Sequence, residues 1–215
     1  MTKTEISNLA LSHAREQLLS GNVETTTELI AETVLLHYDQ TLKQTLGRVR
    51  PSFAQKRATL TLNATAPDFG WDNAYVLPTD YVELVRFNGD DEEPINNSLF
   101  EIEGRNLLTD EGEAFILYTR FEEDSSLYDA EFIEAFALLL AAKIINARRG
   151  DRERAEALTV QGELMASESS AKSAQARRRF NSRDKILRSS RWTGVKRRIS
   201  TNDSLTGDSA VIYDN

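Results

Sequence analysis

The chain has 215 residues and no cysteine, and its 34 acidic against 26 basic side chains give a net charge of −8. That length suits one domain with a substantial core, or one domain carrying arms. Lack of cysteine excludes disulfides and thiolate metal sites, and an acidic body repels phosphate, so contact with nucleic acid would have to run through a local basic segment.

In chain order, residues 4–20 read as a helix with Ile6, Leu9, Ala10 and Ala14 on one side, ended by Gly21-Asn22. The start, Met1-Thr2-Lys3, is followed by no apolar run of the secretory kind, which predicts an intracellular, soluble product. A second helix is predicted from Thr25-Thr26-Thr27-Glu28, which has capping-box spacing. Its stripe is Ile30, Val34, Tyr38, Leu42 and Leu46, and Gly47 and Pro51 are expected to close it.

The period then drops to two. Ala58, Leu60, Leu62 and Ala64 alternate with Thr59, Thr61 and Asn63, the pattern of a half-buried strand. "AYVLPTDYVELVRFNGDDEEP" reads as strand, proline bend, strand and an acidic turn at Asn88-Gly89; "SLFEIEGRNLL" reads as a hairpin turning at Gly104, and "EAFILYTRF" as a further strand. Helix returns after Asp129, a candidate N-cap, and "AEFIEAFALLLAAKIINARRG" is apolar nearly all round from Ala135 to Ile145, so it is expected to be the buried central helix. Its longest apolar run, Ala135 to Ala142, is far below the ~20 residues that cross a bilayer. After Gly150, Asp151 should cap a last, mostly polar helix with a sparse stripe of Ala155, Leu158, Leu164 and Met165, weakened by Gly162. Beyond about Phe180 no period remains, and the chain ends near one apolar cluster, Ala210-Val211-Ile212-Tyr213.

The expected class is therefore α+β: a mainly helical bundle with a small antiparallel β module inserted, and an extended C-terminal arm. The boundaries are 1–56 for the first helices, 57–124 for the β module, 125–180 for the later helices and 181–215 for the arm.

A signature for catalysis is missing from this pattern. His13 and His37 sit on separate predicted helices without an acid and a nucleophile around them. No glycine-rich phosphate loop follows a strand, no nucleotide fingerprint appears, and no cofactor is expected. Asp90-Asp91-Glu92-Glu93 lacks the spaced oxygen ligands of a calcium loop, and "TDEGE" reads the same way, as a solvated turn. Trp71 and Trp192 stand alone rather than as a base-stacking platform.

The charge is unevenly spread. Residues 172–198 hold 11 bases against one acid, Asp184, whereas residues 1–171 hold 30 acids and 15 bases. Three uses compete for this basic run. It is a solvated tail, or it neutralises phosphates through Arg177, Arg178, Arg179, Arg183, Lys185, Arg188 and Arg191. Alternatively it docks on an acidic protein surface, with Ile186, Leu187, Trp192 and Val195 as anchors between those charges and Lys196, Arg197 and Arg198. So polar a segment orders only on binding.

"YVLPTDYVELVRFNG" (75–89), "FEIEGRNLLTDEGEAFILYTRF" (100–121) and "SSLYDAEFIEAFALLLAAKIINARRGDRERAEAL" (125–158) resemble, in this order, the head-to-tail adaptors of short-tailed bacteriophages, the tail tubular protein A type. The residues that carry it are Leu77-Pro78-Thr79-Asp80, Ile102-Glu103-Gly104, Leu107-Leu108, Tyr118, Tyr128-Asp129, Glu134-Ala135-Phe136 and Leu140-Ala141-Ala142. "PSFAQKRATL" (51–60) is similar to a further family stretch, except that Pro51-Ser52 stands where the family usually has Trp-Asn. The likeness spans about residues 20–180; its short motifs are unspecific singly and gain weight from their order.

The resemblance implies a structural virion protein rather than an enzyme, assembled in the host cytoplasm and resident in the neck of the particle. It implies a dodecameric ring of identical copies, with the portal above, a nozzle or tail protein below, no membrane, and duplex DNA passing through unbound. The C-terminal segment of such proteins attaches to the portal, which favours docking as the arm's use, and Val211, Ile212 and Tyr213 would add to a sheet edge or fill a pocket there. Residues 88–124 carry twelve acids against Arg105 and Arg120. Among these acids, Asp90, Asp91, Glu92, Glu93, Glu101, Glu103, Asp110, Glu111 and Glu113 are the expected channel-facing or nozzle-facing surface, because an acidic lining lets DNA slide. A head-completion connector of long-tailed phages is the neighbouring alternative, and a DNA-binding packaging protein acting through the arm is the alternative from another class.

Overall fold

The protein's structure, a computed structural model, describes residues 1–88 and 99–175. Among these, four helices and two small antiparallel sheets make an α+β protein. Helices α1 (Lys3–Ala14) and α2 (Leu29–Val49) precede the strands, and α3 (Ala130–Arg149) and α4 (residues 152–175) follow them. The β module is thus an insertion between α2 and α3, as the change of period predicts.

Helix α3 is the centre of the helical body. Eleven of its residues are buried, among them Phe132, Phe136, Leu140, Ile144 and Ile145. Each such aliphatic or aromatic side chain contributes about 1.5–3 kcal/mol on leaving water. The predicted α2 stripe, Ile30, Val34, Tyr38, Leu42 and Leu46, is buried in full, and Tyr38 meets Phe136 edge-on at 5.0 Å. Phe53, Tyr128 and Phe132 form an aromatic cluster with ring centroids 5.1–5.3 Å apart, which joins the first 3-10 turn (Ser52–Ala54) to the start of α3.

Two helix ends differ from expectation. α1 stops at Ala14 rather than near Gly21, because Arg15 takes the left-handed conformation (φ 54°) that usually falls to glycine. α2 runs through Gly47 to Val49 and ends on Arg50, again left-handed (φ 50°). The capping box also lies elsewhere. Val23–Thr25 form a turn, Thr26 and Thr27 lie outside regular structure and Glu28 makes no side-chain cap, while Thr2 and Glu5 exchange both bonds of a capping box at the start of α1. Asp129 and Asp151 occupy the predicted N-cap positions of α3 and α4, and Asp151 Oδ1 accepts from the Arg154 backbone N–H at 3.1 Å.

The module has strands β1 (Gln55–Thr59), β2 (Thr61–Leu62), β3 (Asn73–Val76), β4 (Tyr81–Phe87), β5 (Glu101–Glu103), β6 (Asn106–Thr109) and β7 (Phe115–Arg120). One sheet runs β1-β7-β4 and the other β2-β3-β6-β5. The single strand expected at 58–64 changes sheets at Leu60: the Leu60 N–H donates to Ala114 O beside β7, and the Asn63 N–H donates to Ala74 O on β3. That change breaks the alternation, so Leu60 is buried while Leu62 and Ala64 face solvent. Between the sheets lies a second core of Leu60, Tyr75, Leu77, Leu84, Phe87, Phe100, Leu107, Ala114, Ile116 and Tyr118. The strands begin at Gln55, two residues inside the segment assigned above to the first helices.

Helix α4 packs differently from the sparse stripe expected of it. Ala155 and Leu158 are buried as expected and Met165 packs partly buried on the core, but Leu164 is exposed; the inward face is Ala155, Leu158, Gly162, Ala166 and Ser169, mostly small residues at intervals of three and four. A Cβ on Gly162 would sit 2.8 Å from Leu139 Cγ and 3.3 Å from Leu138 Cβ. The glycine that weakens the helix in isolation is what lets it lie close against α3.

Candidate functional site

The predicted arm residues from Arg177 to Tyr213, and Asp90, Asp91, Glu92 and Glu93, lie outside the described residues. The other acids of the expected channel face are all exposed and fall on the four-stranded sheet and the turn after it. Glu101 and Glu103 alternate with Ile102 on edge strand β5, so both carboxylates share the sheet face away from the core row Tyr75-Leu107. Glu101 Oε2 accepts from the Trp71 indole N–H at 3.2 Å, which gives the isolated tryptophan a structural task.

Asp110, Glu111 and Glu113 lie in the turn between β6 and β7, tied down mainly through backbone atoms. Glu111 O accepts from Tyr75 Oη at 3.0 Å and Asn73 Nδ2 at 3.2 Å, Glu113 O accepts from Asn88 Nδ2 at 3.1 Å, and Asp110 Oδ1 accepts from the Asp72 N–H at 3.1 Å. Among the described residues the carboxylates of Glu111 and Glu113 take no hydrogen bond. Register pairs Glu101 with Leu108, which brings Glu101 beside Asp110 at one end of the sheet, while Glu103 lies toward the Gly104 turn with Arg105. The described acids form a rigidly held, hydrated negative surface. Among the described residues no group of three or more side chains is placed to hold a metal ion.

The residues that carry the resemblance come together as structural joints. Tyr118 Oη donates to Asp80 Oδ1 at 2.8 Å, Lys56 Nζ lies 3.1 Å from Asp80 Oδ2, and the Phe121 N–H donates to Asp80 O at 2.7 Å. Partial burial pushes the Asp80 carboxyl upward, but the bonds from Tyr118 and Lys56 and the ammonium charge outweigh it and hold Asp80 below the ordinary carboxylate value. Burial, then the Asp80 bond, raises the Tyr118 hydroxyl. The Leu77 N–H donates to Arg105 O at 2.9 Å and Arg105 Nη2 donates to Pro78 O at 3.1 Å, so the β3–β4 bend is pinned to the hairpin around Gly104, whose φ is 59°. Tyr128 Oη donates to Glu122 O at 2.5 Å, and Ala135, Phe136, Leu140 and Ala141 are wholly buried.

His13 has an acid beside it but not the acid and nucleophile together: Glu134 Oε1 is 3.0 Å from His13 Nε2, an α1–α3 contact completed by Arg154 Nη2 donating to His13 O at 3.1 Å. This constellation holds three helices together and presents no nucleophile. An open groove of about 710 Å³ runs between α2 and the β3–β4 bend. Three of the acids that line it are paired, Asp80 with Lys56, Glu122 with Arg120, and Asp39 at 3.9 Å from Lys3, while Glu123 lines it as well. Tied carboxylates of this kind are poor general bases.

Sequence reading missed the large apolar side chains that the helices leave in water. On α2, Leu29 and Leu36 are 70 % and 74 % exposed; on α4, Val160 and Leu164 are 66 % and 60 % exposed. The signal was present: each lies on the side of its helix opposite the buried stripe, where polar residues are the rule. No helix among the described residues is long and apolar enough to cross a membrane. Comparison with known families and with curated proteins finds no match to this chain.

Proposed function

We propose that this chain is a structural virion protein, a head-to-tail adaptor whose copies form a ring that joins the portal to the tail nozzle and continues the DNA channel. The observation that supports this reading is the ordered set of shared residues from Leu77-Pro78-Thr79-Asp80 to Leu140-Ala141-Ala142, of which Leu77, Asp80, Leu107, Tyr118, Tyr128, Phe136 and Leu140 have packing or hydrogen-bonding tasks here. They specify how a β module is clasped onto a helical body, which is what a subunit working by shape requires.

The surface chemistry supports the same reading. Glu101, Glu103, Asp110, Glu111 and Glu113 present an acidic, exposed face on the module, suited to a passage through which duplex DNA slides without sticking. The arm, with 11 bases against one acid in 172–198, supplies the opposite charge and the apolar anchors for a protein partner above. The experiment is electron microscopy of the full-length chain incubated with portal-bearing heads. An annulus added beneath the vertex is the expected result; unchanged vertices with the protein remaining monomeric would end the proposal.

A further inference from the structure

The connection between β2 and β3, residues 63–72, lies at the end of the four-stranded sheet away from the Gly104 hairpin. Within it Phe69 is 89 % exposed, more than any other large apolar side chain among the described residues. The loop that carries it is tied at both roots. The Asn63 N–H donates to Ala74 O at 2.7 Å, the Trp71 indole N–H to Glu101 Oε2 at 3.2 Å and the Asp72 N–H to Asp110 Oδ1 at 3.1 Å. Trp71 is thus bonded to the sheet while Phe69, two residues before it, stands in water.

The setting of Phe69 has one sign of charge. Residues 63–73, 99–102 and 109–115 come together at this end through those bonds and the strand register. They contain Asp68, Asp72, Glu101, Asp110, Glu111 and Glu113 and no lysine, arginine or histidine. All six acids are exposed, and none forms an ion pair among the described residues. Arg105, the one base in residues 61–76 and 99–113, is bonded to Pro78 O at the opposite end of the sheet. An aromatic side chain held out on a fixed loop is the kind of anchor that carries a protein contact. The acids around it select the partner: they repel anionic lipid and nucleic acid, and attract a surface of lysine and arginine.

We infer that Phe69 is a plug by which the β module docks into an apolar socket, rimmed by lysine or arginine, on the tail protein below the ring. This rests on the adaptor reading above and takes the nozzle-facing of the two placements expected for these acids. The two effects of the charge are compatible, since acids at a junction of the passage repel duplex DNA and attract a basic protein.

Portal-bearing heads loaded with the full-length chain are mixed with tails released from the same virus, and joined particles are counted by electron microscopy. Phe69 is exposed, so the Phe69→Ser protein should melt as the unaltered chain does and still add an annulus. Joining of tails should fall about tenfold or more, as loss of an interface anchor brings. Phe69→Tyr should keep joining, and Asp68→Lys combined with Asp72→Lys should reduce it severalfold. Heads that carry the Phe69→Ser annulus and join tails normally would overturn the plug. A lost annulus would overturn it too, by placing Phe69 in the contact between copies or with the portal. Binding of the unaltered chain to phosphatidylglycerol vesicles, abolished by Phe69→Ser, would give the loop to a lipid surface instead. No annulus with the unaltered chain would remove the adaptor reading and this inference together.

Discussion

Tyr118 and Asp80, 38 residues apart in sequence, meet through a 2.8 Å hydrogen bond from the phenol to Oδ1, with Lys56 on the other carboxylate oxygen at 3.1 Å. Tyr118 is wholly buried between the sheets and Asp80 sits at the β3–β4 bend, so the bond fixes the bend against strand β7 and the core it helps form. Tyr118→Phe should lower unfolding free energy by about 1.5 kcal/mol, the low end for a bond to a charged acceptor. Tyr75→Phe, which loses a bond to the neutral carbonyl of Glu111, should cost less, about 1 kcal/mol. Urea unfolding of the two variants side by side gives the comparison; an equal or reversed order would mean that the Asp80 charge adds nothing.

The same carboxyl sets an acid limit. Because Asp80 is held below its ordinary value in the folded protein, its contribution is complete above the unfolded carboxylate pKa of about 3.9 and is lost as pH falls through the lower folded value. The stability gap between the natural protein and Asp80→Asn should therefore be widest near neutrality and shrink below about pH 4. Denaturation series at neutral and acid pH would test it. A gap that stays constant down to pH 2 would mean that Asp80 does not titrate with folding.

These joints also mark what the sequence made legible. Periodicity located α2, α3 and the strands around Gly104, because Ile30 to Leu46 and Ala135 to Ile145 are buried in the pattern their spacing demands. It misplaced the ends of α1 and α2, because the residues turning left-handed are Arg15 and Arg50, and no residue type there announces the turn. It missed the partner change at Leu60, since alternation says which side chains point inward and nothing about which strand lies alongside. The acids of the expected channel face were legible as residues, but the common placement of the described ones on β5 and the β6–β7 turn depends on register, which only the fold supplies.

Helix α4 turns on Gly162. In an isolated helix Gly→Ala gains about 1 kcal/mol. Here the added methyl would meet Leu139 at 2.8 Å, and overpacking of that kind costs about 1–3 kcal/mol. Gly162→Ala should therefore destabilise the protein despite raising helix propensity, and combining it with Leu139→Ala, which clears the space, should recover part of the loss. Thermal melts of the single and double variants distinguish close packing from mere tolerance of a weak residue. A higher melting temperature for Gly162→Ala alone would show that α4 lies less tightly on α3.

In the proposed function the arm supplies attachment and the body supplies shape. Among the described residues both cores lie between Ile6 and Ala166, so a chain ending at residue 180 should keep a cooperative melt. In the proposed function it should lose attachment to portal-bearing heads. Salt separates the two uses of the basic run. Binding that neutralises six or more phosphates weakens by about a thousandfold or more between ~50 and ~200 mM salt. Docking anchored by Trp192, Ile212 and their neighbours buries apolar surface that salt does not screen, so attachment of the full chain to heads should persist across that range. Heads that bind the shortened chain as well as the full one would show that attachment resides in the body. Attachment that vanishes by ~200 mM salt and follows free duplex DNA in competition would hand the arm to phosphate instead.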